Sequence, residues 1–212
     1  MNSIYLDYNA TTPVSDKVID RIQLTMKHYW HNVSSSYAKC SLEELQMAEL
    51  TVKQFLWPHC IPDESMIPTG VIFTSGATEA NVTIINALAH MSIAENKKSL
   101  IVTSEIEHDS ILTTVKKYKQ LGMIDVYLIP VKQNGVIDVE LMMNDPPPFH
   151  QYSLVLGCVM LANNETGIIQ PVSEFNDKLK LLITKSDYME NIFRILISMH
   201  VNDFKVNIIS TL

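Results

Sequence analysis

Three short polar clusters hold the residues best able to do chemistry: TSGATEAN at 74–81, SEIEHDS at 104–110 and ANNETG at 162–167. In the first, Ser75, Gly76, Ala77 and Thr78 are small and stand just ahead of a helical stretch. Small residues let a ligand come close to the backbone, and a helix start offers free N–H groups to an anion. Thr78 adds a hydroxyl, so this cluster reads either as a phosphate cradle or as a plain capped turn. It lacks the GK[ST] of a P-loop, which argues against a nucleoside triphosphatase. In the second cluster His108 is either a structural hydrogen-bonder or a flat ring able to stack on an aromatic group. Glu105, Glu107 and Asp109 flank it and would favour its charged form if they lie near. In the third, Asn163 and Asn164 offer donors and acceptors without charge. They serve a binding site or simply a turn that tolerates left-handed backbone angles.

Apolar runs precede all three clusters. VIFTS (71–75), SLIVTS (99–104) and SLVLGCVML (153–161) read as strands, and DVYLIPV (125–131) as a fourth. Helical patterns cover about 77–92, 109–121 and 172–183, with a short one at 139–143 that NDPPP stops. Strands alternating with helices, and nearly continuous apolar strands, predict an α/β domain with a mostly parallel sheet and helices on both faces. Ligands bind such sheets at the carboxyl ends of the strands, so the clusters are expected to share one pocket. Ahead of this domain, Val18, Ile22 and Met26 recur at four-residue spacing in a helix over about 17–29, capped by Ser15 or Asp16. Ser41 and Glu44 fit a capping box that opens a helix to about Leu56. The chain thus divides into a two-helix segment at 1–66, an α/β domain at 67–183 and a tail at 184–212.

The composition sets outer limits. Of 212 residues, 47% are hydrophobic and 18% charged, which is globular rather than disordered. A net charge of −7 excludes a general nucleic-acid binder, which needs a basic face. The N-terminus MNSIYLDYNATTP has neither signal nor transit character, and no apolar run is long enough to span a bilayer. A cytoplasmic protein without membrane partners is the expectation. The three cysteines, Cys40, Cys60 and Cys158, form no zinc-type spacing, so no metal site is expected, and Cys158 is expected in the core.

Taken together, YLDYNATTP, FTSGATEAN, SEIEHDS and VMLANNETGIIQPV resemble the pyridoxal-phosphate enzymes of the cysteine desulfurase family. YNATTP, EHDSI and MLANNETGI are most similar to the selenocysteine lyases within it. The resemblance runs from about Ile4 to Leu182, with the motifs in the family's order. It implies a fold type I, class V aminotransferase-like large domain that binds pyridoxal 5'-phosphate. By residue it implies that Ala77 and Thr78 hold the cofactor phosphate, that His108 stacks on the pyridine ring, and that Asn164 bonds the ring hydroxyl and helps place the substrate. Asn9 would line the substrate side. The implied reaction releases selenium from L-selenocysteine to give L-alanine, with cysteine desulfuration as the alternative. A homodimer, or docking on a full-length homologue, is the implied assembly.

The chain departs from that pattern after about Lys185, where it reads SDYMENIFRILISMHVNDFKVNIISTL. The family continues with a D-A-A-Q-like strand end, whose aspartate meets the pyridine nitrogen, and a His-Lys pair that supplies the covalent lysine. Neither appears, and Lys178, Lys180, Lys185 and Lys205 stand in no such context. The expectation is an incomplete large domain with a divergent tail, inactive alone. Apolar faces and sheet edges beyond Leu161 would then be left open, except where the tail run IFRILISM patches some of that surface.

Overall fold

The computed structural model describes residues 4–8, 10–56, 71–94, 96, 98–185 and 193–197. They fall into two compact units, 1–73 and 74–212. The first holds α1 (Asp16–His28) and α2 (Lys39–Leu56). An ion pair between Arg21 and Glu44 ties the two helices together. The apolar stripe of α1 is not packed: Val18, Ile22 and Met26 are all exposed. Ser15 occupies the cap position of α1 without a side-chain cap hydrogen bond. The predicted capping box at Ser41 does not form. Helix α2 starts two residues earlier, at Lys39, so Ser41 lies within its first turn and meets His31 Nδ1 at 3.3 Å. Glu44 is turned to Arg21 instead.

The second unit is built on four strands, β1 (Ser99–Ser104), β2 (Asp125–Ile129), β3 (Leu154–Cys158) and β4 (Phe193–Ile197). They pair in the order β2-β1-β3-β4, and every pair is parallel. Helices α3 (Ala77–Ala94), α4 (Asp109–Gln120), α5 (Val139–Asn144) and α6 (Val172–Lys185) complete the unit. Successive strand residues serve opposite layers. Leu100, Val102 and Val155 pack with Met142, Phe175 and Leu179, from α5 and α6. Ile101, Leu154, Leu156 and Cys158 pack with Ile85, Leu88, Ile111 and Val115, from α3 and α4. With helices on both faces, neither side of a strand can stay polar, which is why SLIVTS and LVLGC show no alternation. Cys158 is buried, as its apolar setting predicts.

Gly157 marks where α6 lies closest to the sheet. A Cβ there would sit 2.9 Å from Leu179 Cδ2 and 3.2 Å from Phe175 Cε1. The Phe175 ring is fully buried and has little room to move aside. Gly157→Val is expected to cost roughly 1–3 kcal/mol by overpacking. A urea titration checks this; an unchanged midpoint would show that α6 shifts freely.

One expectation fails here. VIFTS is not a strand: Val71–Thr74 carry no regular structure, and Ile72 and Phe73 are exposed. A strand needs a neighbour to take its N–H and C=O groups, and none of the four described strands pairs with this run. The tail, in contrast, supplies one. FRILI follows α6 by a crossover and pairs in parallel along the whole of β3, Leu154 with Phe193 through Cys158 with Ile197. The tail run IFRILISM thus covers the edge of β3 with β4.

Candidate active site

The strand order locates the site. From β1 the chain moves to β2 on one side, then returns across β1 to place β3 on the other. Between β1 and β3 the connections diverge, and in open sheets of this kind ligands bind at such a switch point, outside the carboxyl ends of the strands. SEIEHDS leaves the tip of β1 and ANNETG follows the tip of β3.

His108 caps α4. Its backbone is extended (φ −61°, ψ 148°), and the Ser110 N–H donates to its Nδ1 at 3.1 Å. The Ser110 hydroxyl oxygen lies 2.9 Å from the same nitrogen and accepts from Asn81 Nδ2 at 2.9 Å. Nδ1 thus serves as the acceptor for the Ser110 N–H, which leaves Nε2 as the ring's donor. Asn81 sits in the second turn of α3, so this path brings the starts of α3 and α4 side by side. Glu105 and Asp109 are exposed, and Glu107 points inward.

Glu107 is buried where the two strand tips meet. It accepts from the Ser104 hydroxyl at 2.7 Å, and the Met160 N–H lies 3.1 and 3.0 Å from its two oxygens. Burial pushes its carboxyl up to about 7, against the pull of these two hydrogen bonds. Burial, with the Glu107 charge adding to it, raises the Cys158 thiol well above its usual range.

The ANNETG segment answers to backbone needs first. Asn163 Oδ1 accepts from the N–H groups of Glu165 (3.0 Å) and Thr166 (2.8 Å), and its Nδ2 donates to the Ile106 carbonyl at 3.0 Å. The left-handed position of the turn is Gly167 (φ +72°) rather than either asparagine. Asn164 is half-buried beside it, with a polar partner of its own.

At the start of α3, Ala77 is half-buried and Thr78 exposed. These residues open the helix, so their N–H groups have no carbonyl one turn back. A Cβ on Gly76 would meet nothing within 4 Å, so the backbone there can be approached. Glu79 folds back to accept from the Ser75 N–H at 2.6 Å; hydrogen bonds from the Ser75 side chain and backbone hold its carboxyl below the usual range. The described donors are free helix amides, small hydroxyls, a flat imidazole and a neutral carboxamide. That set fits an anionic aromatic ligand. Among the described residues no group of three or more His, Cys, Asp and Glu could hold a metal ion.

The structure thus joins Ala77, Thr78, His108 and Asn164 through hydrogen bonds between their neighbours, while Asn9 lies outside the described residues. Asn81, Ser110 and Glu107 help in this joining; Asn81 and Ser110 have no role in the sequence reading, and Glu107 figures there only as an acid flanking His108. The hint lay in their motifs, since all three stand inside TSGATEAN or SEIEHDS.

The chain belongs to the class-V aminotransferase family, whose profile matches residues 4–201. It is 31% identical over 197 residues to selenocysteine lyase of Rattus norvegicus, covering 84% of this chain and 43% of that protein. It is 33% identical over 175 residues to cysteine desulfurase IscS of Dechloromonas aromatica, covering 82% of this chain and 40% of that one. The solved structure of a NifS-like protein superposes with a TM-score of 0.71 at 28% identity, over 91% of this chain and 48% of its own. The α/β architecture is that of the fold type I large domain, and the chain spans less than half the length of these relatives. No helix among the described residues is long and apolar enough to cross a membrane.

Proposed function

We propose that this chain forms the pyridoxal 5'-phosphate-binding part of a selenocysteine lyase acting on L-selenocysteine, with L-cysteine as the second reading. The observation that supports the proposal is the Asn81–Ser110–His108 path, which ties α3, whose start offers free N–H groups, to the histidine that caps α4. The Ala77 and Thr78 amides and the Thr78 hydroxyl hold the phosphate. His108, tied at Nδ1, lies against the pyridine face. Asn164 bonds the ring hydroxyl, and Asn9 is carried over on resemblance alone. Once bound, the cofactor supplies an electron sink for the substrate's α-carbon. The desulfurase relatives favour the second reading, and comparing cofactor spectra with each amino acid separates the two.

The covalent lysine is a separate matter. The sequence contains no His-Lys pair. Lys178 is engaged by Glu140 and Glu174, and their hydrogen bonds hold its ammonium charged rather than nucleophilic. The chain alone is therefore expected to bind the cofactor without a covalent link and to release no alanine. Titration followed by cofactor fluorescence should saturate, and borohydride should fix no pyridoxyl-lysine. His108→Asn keeps a good helix cap but removes the flat ring. It is expected to weaken binding about tenfold. Absence of saturable binding by the wild-type chain sinks the cofactor reading; a single reduced lysine, or steady alanine release, sinks the incomplete-site reading.

A further inference from the structure

The side chains of Glu107 and Asn163 are committed to crossing between two strand tips. Glu107, in the turn after β1, takes the backbone N–H of Met160, just past β3 and 53 residues on. Asn163, past β3, gives its Nδ2 to the carbonyl of Ile106, 57 residues back and next to Glu107. The two links run in opposite directions between the same segments. His108 directly follows one end and Asn164 the other.

We infer that Glu107 and Asn163 are positioning residues: together they staple the turn after β1 to the tip of β3, and so set His108 and Asn164 on one wall of the pocket. This rests on the proposed cofactor site for its purpose, though not for its geometry. Each residue also shapes its own segment. Glu107 holds Ser104 at 2.7 Å, the last residue of β1. Asn163 Oδ1 collects the N–H groups of Glu165 and Thr166 and the Thr166 hydroxyl, at 3.0, 2.8 and 3.1 Å, which fixes the turn carrying Asn164. A neutral carboxamide at 107 could still accept from Met160 and donate to Ser104. The staple therefore needs a planar acceptor of this length rather than the charge.

The test uses the whole chain with Glu107→Ala, Glu107→Gln and Asn163→Asp. The aspartate keeps the acceptor for the Glu165 and Thr166 amides but loses the donor to Ile106, so it cuts the staple while sparing the turn. The first readout is hydrogen exchange at the Met160 amide, with the side-chain resonances of His108 and Asn164, all without cofactor. Glu107→Ala should speed Met160 exchange about tenfold or more. Both Glu107→Ala and Asn163→Asp should shift the His108 and Asn164 resonances together, and Glu107→Gln should restore them. The second readout is pyridoxal phosphate affinity, expected to fall about tenfold in the two cut variants and to recover in Glu107→Gln. Unmoved His108 and Asn164 resonances in both cut variants, or a glutamine that behaves like alanine, overturn the inference. Shifted resonances with unchanged affinity overturn it as well. A wild-type chain that binds no cofactor defeats the functional reading alone, and the first readout then decides the staple.

Discussion

At pH 8, Glu107→Gln is expected to be more stable than the wild type by about 3 kcal/mol, and the gain should vanish near pH 4.5. The folded carboxyl titrates at about 7 against an ordinary 4.5, because burial penalises the charge more than its hydrogen bonds favour it. Between these values the folded chain holds a proton that the unfolded chain has released. Raising the pH through this window therefore favours unfolding. The wild type loses stability from about pH 4.5 to about pH 7 and is level above it, whereas glutamine has nothing to lose. The Cys158 thiol faces Glu107 from β3 but is itself pushed well above its usual range, so it stays neutral in this window. Urea titrations of both proteins at several pH values check the prediction. Parallel curves would mean that the carboxyl is solvated in the folded state.

Phe175→Ala is expected to cost about 3–5 kcal/mol, a large part of the 5–15 kcal/mol typical of a domain. The ring is fully buried between α6 and the sheet, and one edge lies against the bare backbone of Gly157. Its removal leaves a cavity that the parallel strands cannot collapse to fill. The same contact makes the cost non-additive with Gly157→Val, because the new side chain can enter the space left by the ring. The double variant is expected to be about 1 kcal/mol better than the sum of the singles. Denaturant midpoints of the four proteins measure this, and strict additivity would show that residues 157 and 175 do not share a space.

Most of the layered architecture could be read in advance, because it depends on patterns local to each segment. SLIVTS, DVYLI and LVLGC are apolar enough to be strands in any register, and the helices at 77–94, 109–120 and 172–185 carry starts or stops in their own text. VIFTS shows the limit of that reading. It has the same composition, but a strand exists only in a pair, and its own text says nothing of a neighbour. FRILI shows the reverse, a stretch without a matching motif that finds a place beside β3. The candidate site divides in the same way. Ala77, Thr78, His108 and Asn164 stand in motifs that a reader can pick out. In the sequence Glu107 is only one of three acids flanking a histidine. Its burial depends on Met160, and 53 residues separate the two.

The four described strands form no hairpin, and this bears on how the chain comes to fold. Each pairing must wait for a helical crossover, and β1 meets β3 only after the β2 strand and α5 have been made. Until then, on a growing chain, β1 and β2 present apolar residues on both faces with one flank unpaired, the state in which parallel sheets are slow and prone to stick to one another. The Glu107 and Asn163 links close only when that flank is filled. The pocket wall is thus among the last parts to assemble, and a chain that stalls before β3 has the helix start and the ring but lacks the turn that carries Asn164.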